Sequence, residues 1–274
     1  MTIRVPDTLN VSSSEKYEVS IRLWPDGLSF SGYVPTEKDS FFSETVLFDG
    51  GVSVAQSLKD IFFENQCFSY VYKSLYVVCV SGKYTLVPEN VFLEEDKESL
   101  FSFCHQEHEK GKVLAQPLEK LQLQLLFYLD NEVYQFLMRS LVNPRFIHSM
   151  SPLLLSWQKK SLASYPKQIY AFIHDKMLDI ACFERGEMLF LNSFDYENES
   201  DIVYYMMYIC RQIGANQLED NIYFCGDKNE CSSVASIIRK YLRNADYLPP
   251  YPNSLADKDK DMYMDIVTLK KCAL

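Results

Sequence analysis

Apolar residues in this chain recur at two periods, and the order in which the periods alternate occurs twice. Val19, Ile21 and Leu23, then Leu28 and Phe30, alternate with polar residues at the spacing of a strand. Pro25-Asp26-Gly27 between them reads as a tight turn, proline pre-setting φ and glycine accepting positive φ. A third strand over 44–48 follows, and Asp49-Gly50-Gly51 breaks the chain. Residues 168–195 repeat the order: QIYAFIHD, a Lys176-Met177 turn, LDIACFE, an Arg185-Gly186 turn and EMLFLNSFD. Each triplet leads into an amphipathic pattern and then another apolar run. In the first half these are a helix over 52–65, with Val54, Leu58, Ile61 and Phe62 on one face, and a strand over 75–80. In the second half they are a helix over 199–213, capped by Gly214, and a strand over 221–225.

The remaining pattern fills in around this doubling. Ser81-Gly82-Lys83 turns the 75–80 strand into a second strand over 84–87, read as a hairpin. The acidic stretch Leu93-Glu94-Glu95-Asp96 opens a helix, where carboxylates suit the positive end of the dipole. Strands at 112–119 and 121–129, a helix at 131–142 stopped by Pro144, a strand at 145–148 and a helix at 151–164 follow. Late in the chain a helix at 229–243 precedes a loop with Pro249, Pro250 and Pro252, the charged run 257–261 and an alternating segment at 262–269 that reads as a last strand. The organisation is a polar arm over 1–15, a first half over 16–165 and a second half over 166–274.

Composition narrows the function classes. Hydrophobic residues make up 47% and charged residues 23% of 274, so a sizeable core is available. The apolar runs are too short or too interrupted for a membrane span, and the first residues lack the apolar stretch of a signal peptide. A net charge of −10 disfavours nucleic acid, whose phosphates need Lys and Arg. Eight cysteines without a CxxC, several inside strands or helices, read as small core residues in a reducing cytoplasm. Nine glycines are about half the usual share, which leaves few places where backbone amides can close on phosphate.

Four groups carry candidate chemistry. Asp49-Gly50-Gly51 precedes a helix N-terminus, a place suited to anions, but lacks the Lys and Ser/Thr of a P-loop and reads as a strand-to-helix turn with an N-cap. Cys104, His105 and His108, with Glu107 and Glu109, carry metal-ligand residue types, but no second ligand cluster accompanies them and a solvated helix end is the simpler reading. His174 and Asp175, with Asp179, Asp195 and Asp227, form a carboxylate set of the kind two-metal nucleases use. Tyr204, Tyr205, Met206, Met207 and Tyr208 make an aromatic and Met-rich helix segment, either buried against the sheet or available to a partner.

Strand–strand–strand–helix–strand–helix, used twice, resembles the actin-like ATPase fold with its ribonuclease-H-like halves. The first half's later elements (YVVCVSGKYTLVP, the acidic helix, two strands, NEVYQFLMRSLVN and the strand into SPLLLSWQKK) are similar to actin-like proteins of type IV pilus assembly and the cytoplasmic part of the type II secretion L component. The chain also resembles a small bacterial family of unknown function with this fold. That implies an α/β protein of duplicated halves, with mixed sheets flanked by helices. Active members carry Asp-x-Gly at each first hairpin and a double glycine after the later strand. Here the first hairpin reads Leu23-Trp24-Pro25-Asp26-Gly27, with its Asp in the turn. The second reads Ile173-His174-Asp175-Lys176-Met177, with methionine where glycine is needed. The later strand ends Cys225-Gly226-Asp227, one glycine and a carboxylate. Asp26, Gly27, His174, Asp175, Gly226 and Asp227 are therefore the residues of a vestigial nucleotide cleft. The expectation is a non-catalytic scaffold or interaction module, without cofactor or metal, whose partner is another protein rather than nucleic acid or membrane. An ATP-binding protein with atypical loops and a divergent metal-dependent nuclease are the alternatives.

Overall fold

A computed structural model describes residues 2–37, 40–105 and 111–249. The described residues group into two compact units that divide between Ser149 and Met150. In the first unit the elements are β1 (Glu18–Trp24), β2 (Gly27–Tyr33), β3 (Phe42–Leu47), α1 (Val54–Glu64), β4 (Ser74–Cys79), β5 (Tyr84–Pro88), α2 (Lys97–Cys104), β6 (Gly111–Leu118), β7 (Leu123–Asp130), α3 (Asn131–Ser140) and β8 (Arg145–His148). Five strands form one mixed sheet in the order β3-β2-β1-β4-β8, with β4 parallel to both β1 and β8. A separate antiparallel sheet, β5-β7-β6, is inserted between β4 and β8 and has its own small core of Val87, Phe101, Val113 and Leu126.

That insertion corrects the expected 75–87 hairpin. β5 pairs with β7, and among the described residues β4 pairs with β1 and β8 of the main sheet. Both strands are apolar, so periodicity alone leaves their partners open. Two further differences concern exposure. β1 and β2 are buried at almost every position, polar ones included. Their polar residues are largely serines that bond across strands, Ser20 to Ser31 at 2.8 Å and Ser29 to Ser43 at 3.2 Å. The polar arm is anchored as well: Ile3 and Leu9 are buried, and the Ile3 amide donates to Asn65 Oδ1 at 2.7 Å.

In the second unit the elements are α4 (Met150–Ser161), β9 (Gln168–His174), β10 (Met177–Glu184), β11 (Glu187–Asp195), α5 (Glu199–Gln212), β12 (Asn221–Gly226), α6 (Lys228–Ile238) and β13 (Asn244–Tyr247). The sheet order β11-β10-β9-β12-β13 matches the first unit strand for strand, with β12 parallel to β9 and β13. Ile169, Ala171, Ile173, Leu178, Ile180, Ile222 and Phe224 make the core on one face with Ile202, Met206 and Ile209 of α5 and Val234 and Ile238 of α6. Three aromatic residues stack in a column, Trp157 of α4 on Tyr170 at 4.8 Å and Tyr170 on Tyr223 at 5.3 Å.

α6 ends earlier than its sequence pattern implies, and β13 supplies a fifth strand where none was expected. In Asn244-Ala245-Asp246-Tyr247 only Ala245 is buried, so there is little apolar alternation to read. The segment expected as a last strand, 262–269, lies outside the described residues, as does the chain from Pro250 onward. Among the described residues no helix is long and apolar enough to cross a membrane.

Candidate functional site

The doubled sheet presents a hairpin end in each unit, and these ends carry the residues singled out in the sequence. In the first unit the loop has two residues, Pro25 and Asp26, closed by the pair Trp24 and Gly27. Asp26 is exposed, and its carbonyl accepts from the Phe48 amide at 2.8 Å. Gly27 does not adopt positive φ, contrary to the turn reading. Its small size serves packing instead, because a Cβ there would lie 2.7 Å from both the Trp24 ring and the Val46 carbonyl oxygen. Beside the turn Arg22 is fully buried, its guanidinium 5.2 Å from the Trp24 ring. The sequence reading missed Arg22, whose position in an alternating strand gives no sign of burial on both faces.

The second hairpin is built differently. Its loop is Asp175-Lys176, not Lys176-Met177; Met177 already pairs with His174 in β10. Both loop residues have positive φ, +43° and +61°, the backbone of a type I′ turn. Asn-Gly usually fills such a turn, so this one holds non-glycine residues at left-handed positions. His174 adjoins it and lies against two carboxylates, Nδ1 at 2.9 Å from Asp175 Oδ2 and Nε2 at 2.6 Å from Asp179 Oδ2. Ionised carboxylates only accept, so a neutral ring with one N–H serves one of them and an imidazolium serves both. The imidazole also stacks on Phe172, centroids 4.1 Å apart.

Beside this hairpin β12 runs parallel to β9 and hands the chain to α6. Gly226 has φ +131° and pairs with Ile173, whose carbonyl oxygen blocks the place a Cβ would take. This glycine is required by the close approach of two backbones. Asp227 is the cap of α6, accepting from the amides of Asn229 at 2.8 Å and Glu230 at 3.0 Å. A helix N-terminus offers such amides to anions; here the chain's own carboxylate takes them. Tyr196 donates to Glu230 Oε1 at 2.9 Å, and burial followed by that bond pushes its phenol well above the ordinary tyrosine range. Asp227→Ala is expected to cost about 1 kcal/mol by uncapping α6, with Asp227→Asn near wild type, since both side chains cap well. Thermal melts of the two variants check it.

The other candidates resolve individually. Ser53 caps α1, accepting from Gln56 at 3.3 Å, as expected of the Asp49-Gly50-Gly51 turn. α2 ends at Cys104, so His105 lies beyond the helix, its Nε2 3.1 Å from the Tyr84 carbonyl oxygen. Glu107, His108 and Glu109 lie outside the described residues. Of the carboxylate set, Asp175 and Asp179 face one imidazole, Asp227 caps α6, and Asp195 stands exposed at the end of β11. Among the described residues no three His, Cys, Asp or Glu side chains are placed to hold a metal ion. Burial pushes the thiols of Cys79, Cys182, Cys210 and Cys225 up to about 12, the behaviour of core cysteines. The aromatic segment of α5 divides by helical position: Met206 is buried, whereas Tyr204 and Tyr208 are 64% and 54% exposed.

With this geometry in place, comparison with known proteins decides the family. Residues 6–245 match the protein family of unknown function DUF3822. The chain belongs to that family. A crystal structure from Bacteroides thetaiotaomicron, of a protein with an actin-like ATPase fold and unknown function, aligns at a TM-score of 0.84 with 29% identity. The alignment covers 96% of this chain and 99% of that one. The PilM–PilN type IV pilus biogenesis complex aligns at a TM-score of 0.49 with 11% identity, over 85% of this chain and 87% of that one. No curated protein matches the sequence. The fold is thus the actin-like ATPase fold, α/β with mixed sheets and flanking helices.

Proposed function

We propose that this protein is a non-catalytic interaction module on an actin-like frame, its phosphate-binding loops replaced by self-contained turns, and that its partner is another protein. One observation carries the reading: the Asp227 carboxylate occupies the α6 amides that an anion at this strand-to-helix junction would use. A phosphate there would have to displace a covalently tethered competitor of its own charge. The neighbouring turn supports the same reading, because Asp175 directs its carboxylate to His174 and Lys176 to Met177 offers no glycine. Gly226 is accounted for by strand packing alone.

The competing reading is an ATP-binding protein with atypical loops, and a thermal melt with millimolar Mg-ATP separates the two. Micromolar binding supplies about 4 kcal/mol of linkage at a thousandfold excess over Kd, enough for a shift of several degrees. The expected result is an unchanged melting temperature. A clear upward shift that Asp175→Ala abolishes would overturn the proposal.

A further inference from the structure

We infer that the second unit carries a peptide-docking groove along α5 that takes acidic segments bearing an aromatic or aliphatic anchor. The inference rests on the interaction-module reading and names the surface and the chemistry of its partner. The groove has a volume of about 620 Å³ and is lined by Tyr204, Met207, Tyr208 and Arg211 of α5, by the loop that follows it, and by Leu242 ahead of β13. Residues 204, 207, 208 and 211 share one helix face, being three, four and seven apart. The opposite face, Ile202, Met206 and Ile209, is committed to the core.

Three features specify the occupant. The two exposed tyrosines stack on each other, centroids 6.3 Å apart and planes within 15°, so a paired aromatic surface faces solvent. Aromatic residues of this kind, with methionine, are enriched where peptides and proteins dock. The loop that lines the groove is held from behind: Asp220, which is not part of the lining, accepts from the amides of Lys167 at 2.8 Å and Asn216 at 2.7 Å, and the Arg243 amide donates to the carbonyl of the lining residue Gln217 at 2.8 Å. The charge is opposite to that of the chain. In a protein of net charge −10, the groove lining holds Arg211 and no carboxylate. Lys167 Nζ lies 3.1 Å from the carbonyl oxygen of Gly214, a lining residue, and Arg243 is exposed beside Leu242. An apolar lining that carries the Arg211 guanidinium and no carboxylate fits an acidic amphipathic segment and disfavours a basic one.

Fluorescence anisotropy on the full chain tests this with three labelled peptides of about twelve residues, the length of a short groove-bound helix. One has Asp and Glu around Leu and Phe anchors, one has Lys in place of every acid, and one has Ser in place of every anchor. The acidic anchored peptide is expected to saturate, and each of the other two to bind at least about tenfold more weakly. Raising salt should weaken the acidic peptide, and the protein variants Arg211→Glu and Tyr208→Ser should each weaken it about tenfold. Both side chains are exposed, so melting temperatures should stay unchanged. Equal binding of acidic and Lys peptides, unaltered binding by Arg211→Glu, or no saturation of the acidic peptide would each overturn the assignment. The last result, together with an unchanged melt in Mg-ATP, removes this groove while leaving the module reading intact.

Discussion

Gly226→Ala is expected to destabilise the second unit by about 3 kcal/mol, at the upper end for a residue forced into a glycine-only backbone region. At φ +131° an L-residue is already strained, and the added methyl meets the Ile173 carbonyl oxygen across the β9–β12 ladder. Neither backbone can retreat readily, since Ile173 and Phe224 beside Gly226 are packed in the core. The melting temperature should fall by roughly 6–12 °C. Gly50→Ala is the matched control: nothing lies within 4 Å of its Cβ position and its φ is not positive. That variant should be neutral or slightly stabilising through loss of unfolded-state freedom, by about 0.5 kcal/mol. Equal melting temperatures for the two variants would contradict the steric account of Gly226.

His174→Ala is the second large effect, expected at about 1–3 kcal/mol because it takes a close partner from the buried Asp179 carboxylate. The imidazole side chain is 6% exposed and Asp179 only 3%, so water does not replace what is lost. Asp179→Asn in the His174→Ala background should cost much less than it does in wild type. The difference measures the coupling in a double-mutant cycle, expected to reach about 2 kcal/mol. Denaturant unfolding of the four proteins is the measurement. Additive effects would show that His174 acts mainly through its stacking on Phe172.

Much of the frame was legible before any coordinates. The three strands of each half, the helices after them and strands β4, β8 and β12 lie within a few residues of where hydrophobic periodicity and apolar runs put them. The candidate site was legible as a set of residue types at two hairpins and one strand end. What those residues do there was not. His174 is separated from Asp179 by five positions, and only the antiparallel return of β10 brings their side chains within 2.6 Å. The turn at Asp175-Lys176 escaped because Asp and Lys are weak markers of left-handed backbone. Gly27 and Gly226 look alike as glycines after or at turns, yet one makes room for an indole and the other for a carbonyl.

By itself the sequence determined most of the local elements, their doubled order and the scarcity of glycine, nine in 274 residues. Those properties follow from propensity, periodicity and residue identity, which act within a few positions of the chain. Only the tertiary structure decided which strands pair, and therefore that β5 joins β7 in an inserted sheet rather than β4. It also decided that Asp227 fills the head of α6 and that Tyr204 and Tyr208 face solvent on a helix whose Met206 and Ile209 are core. Strand pairing and burial depend on contacts distant in sequence, and an apolar run carries no label for the partner it will meet.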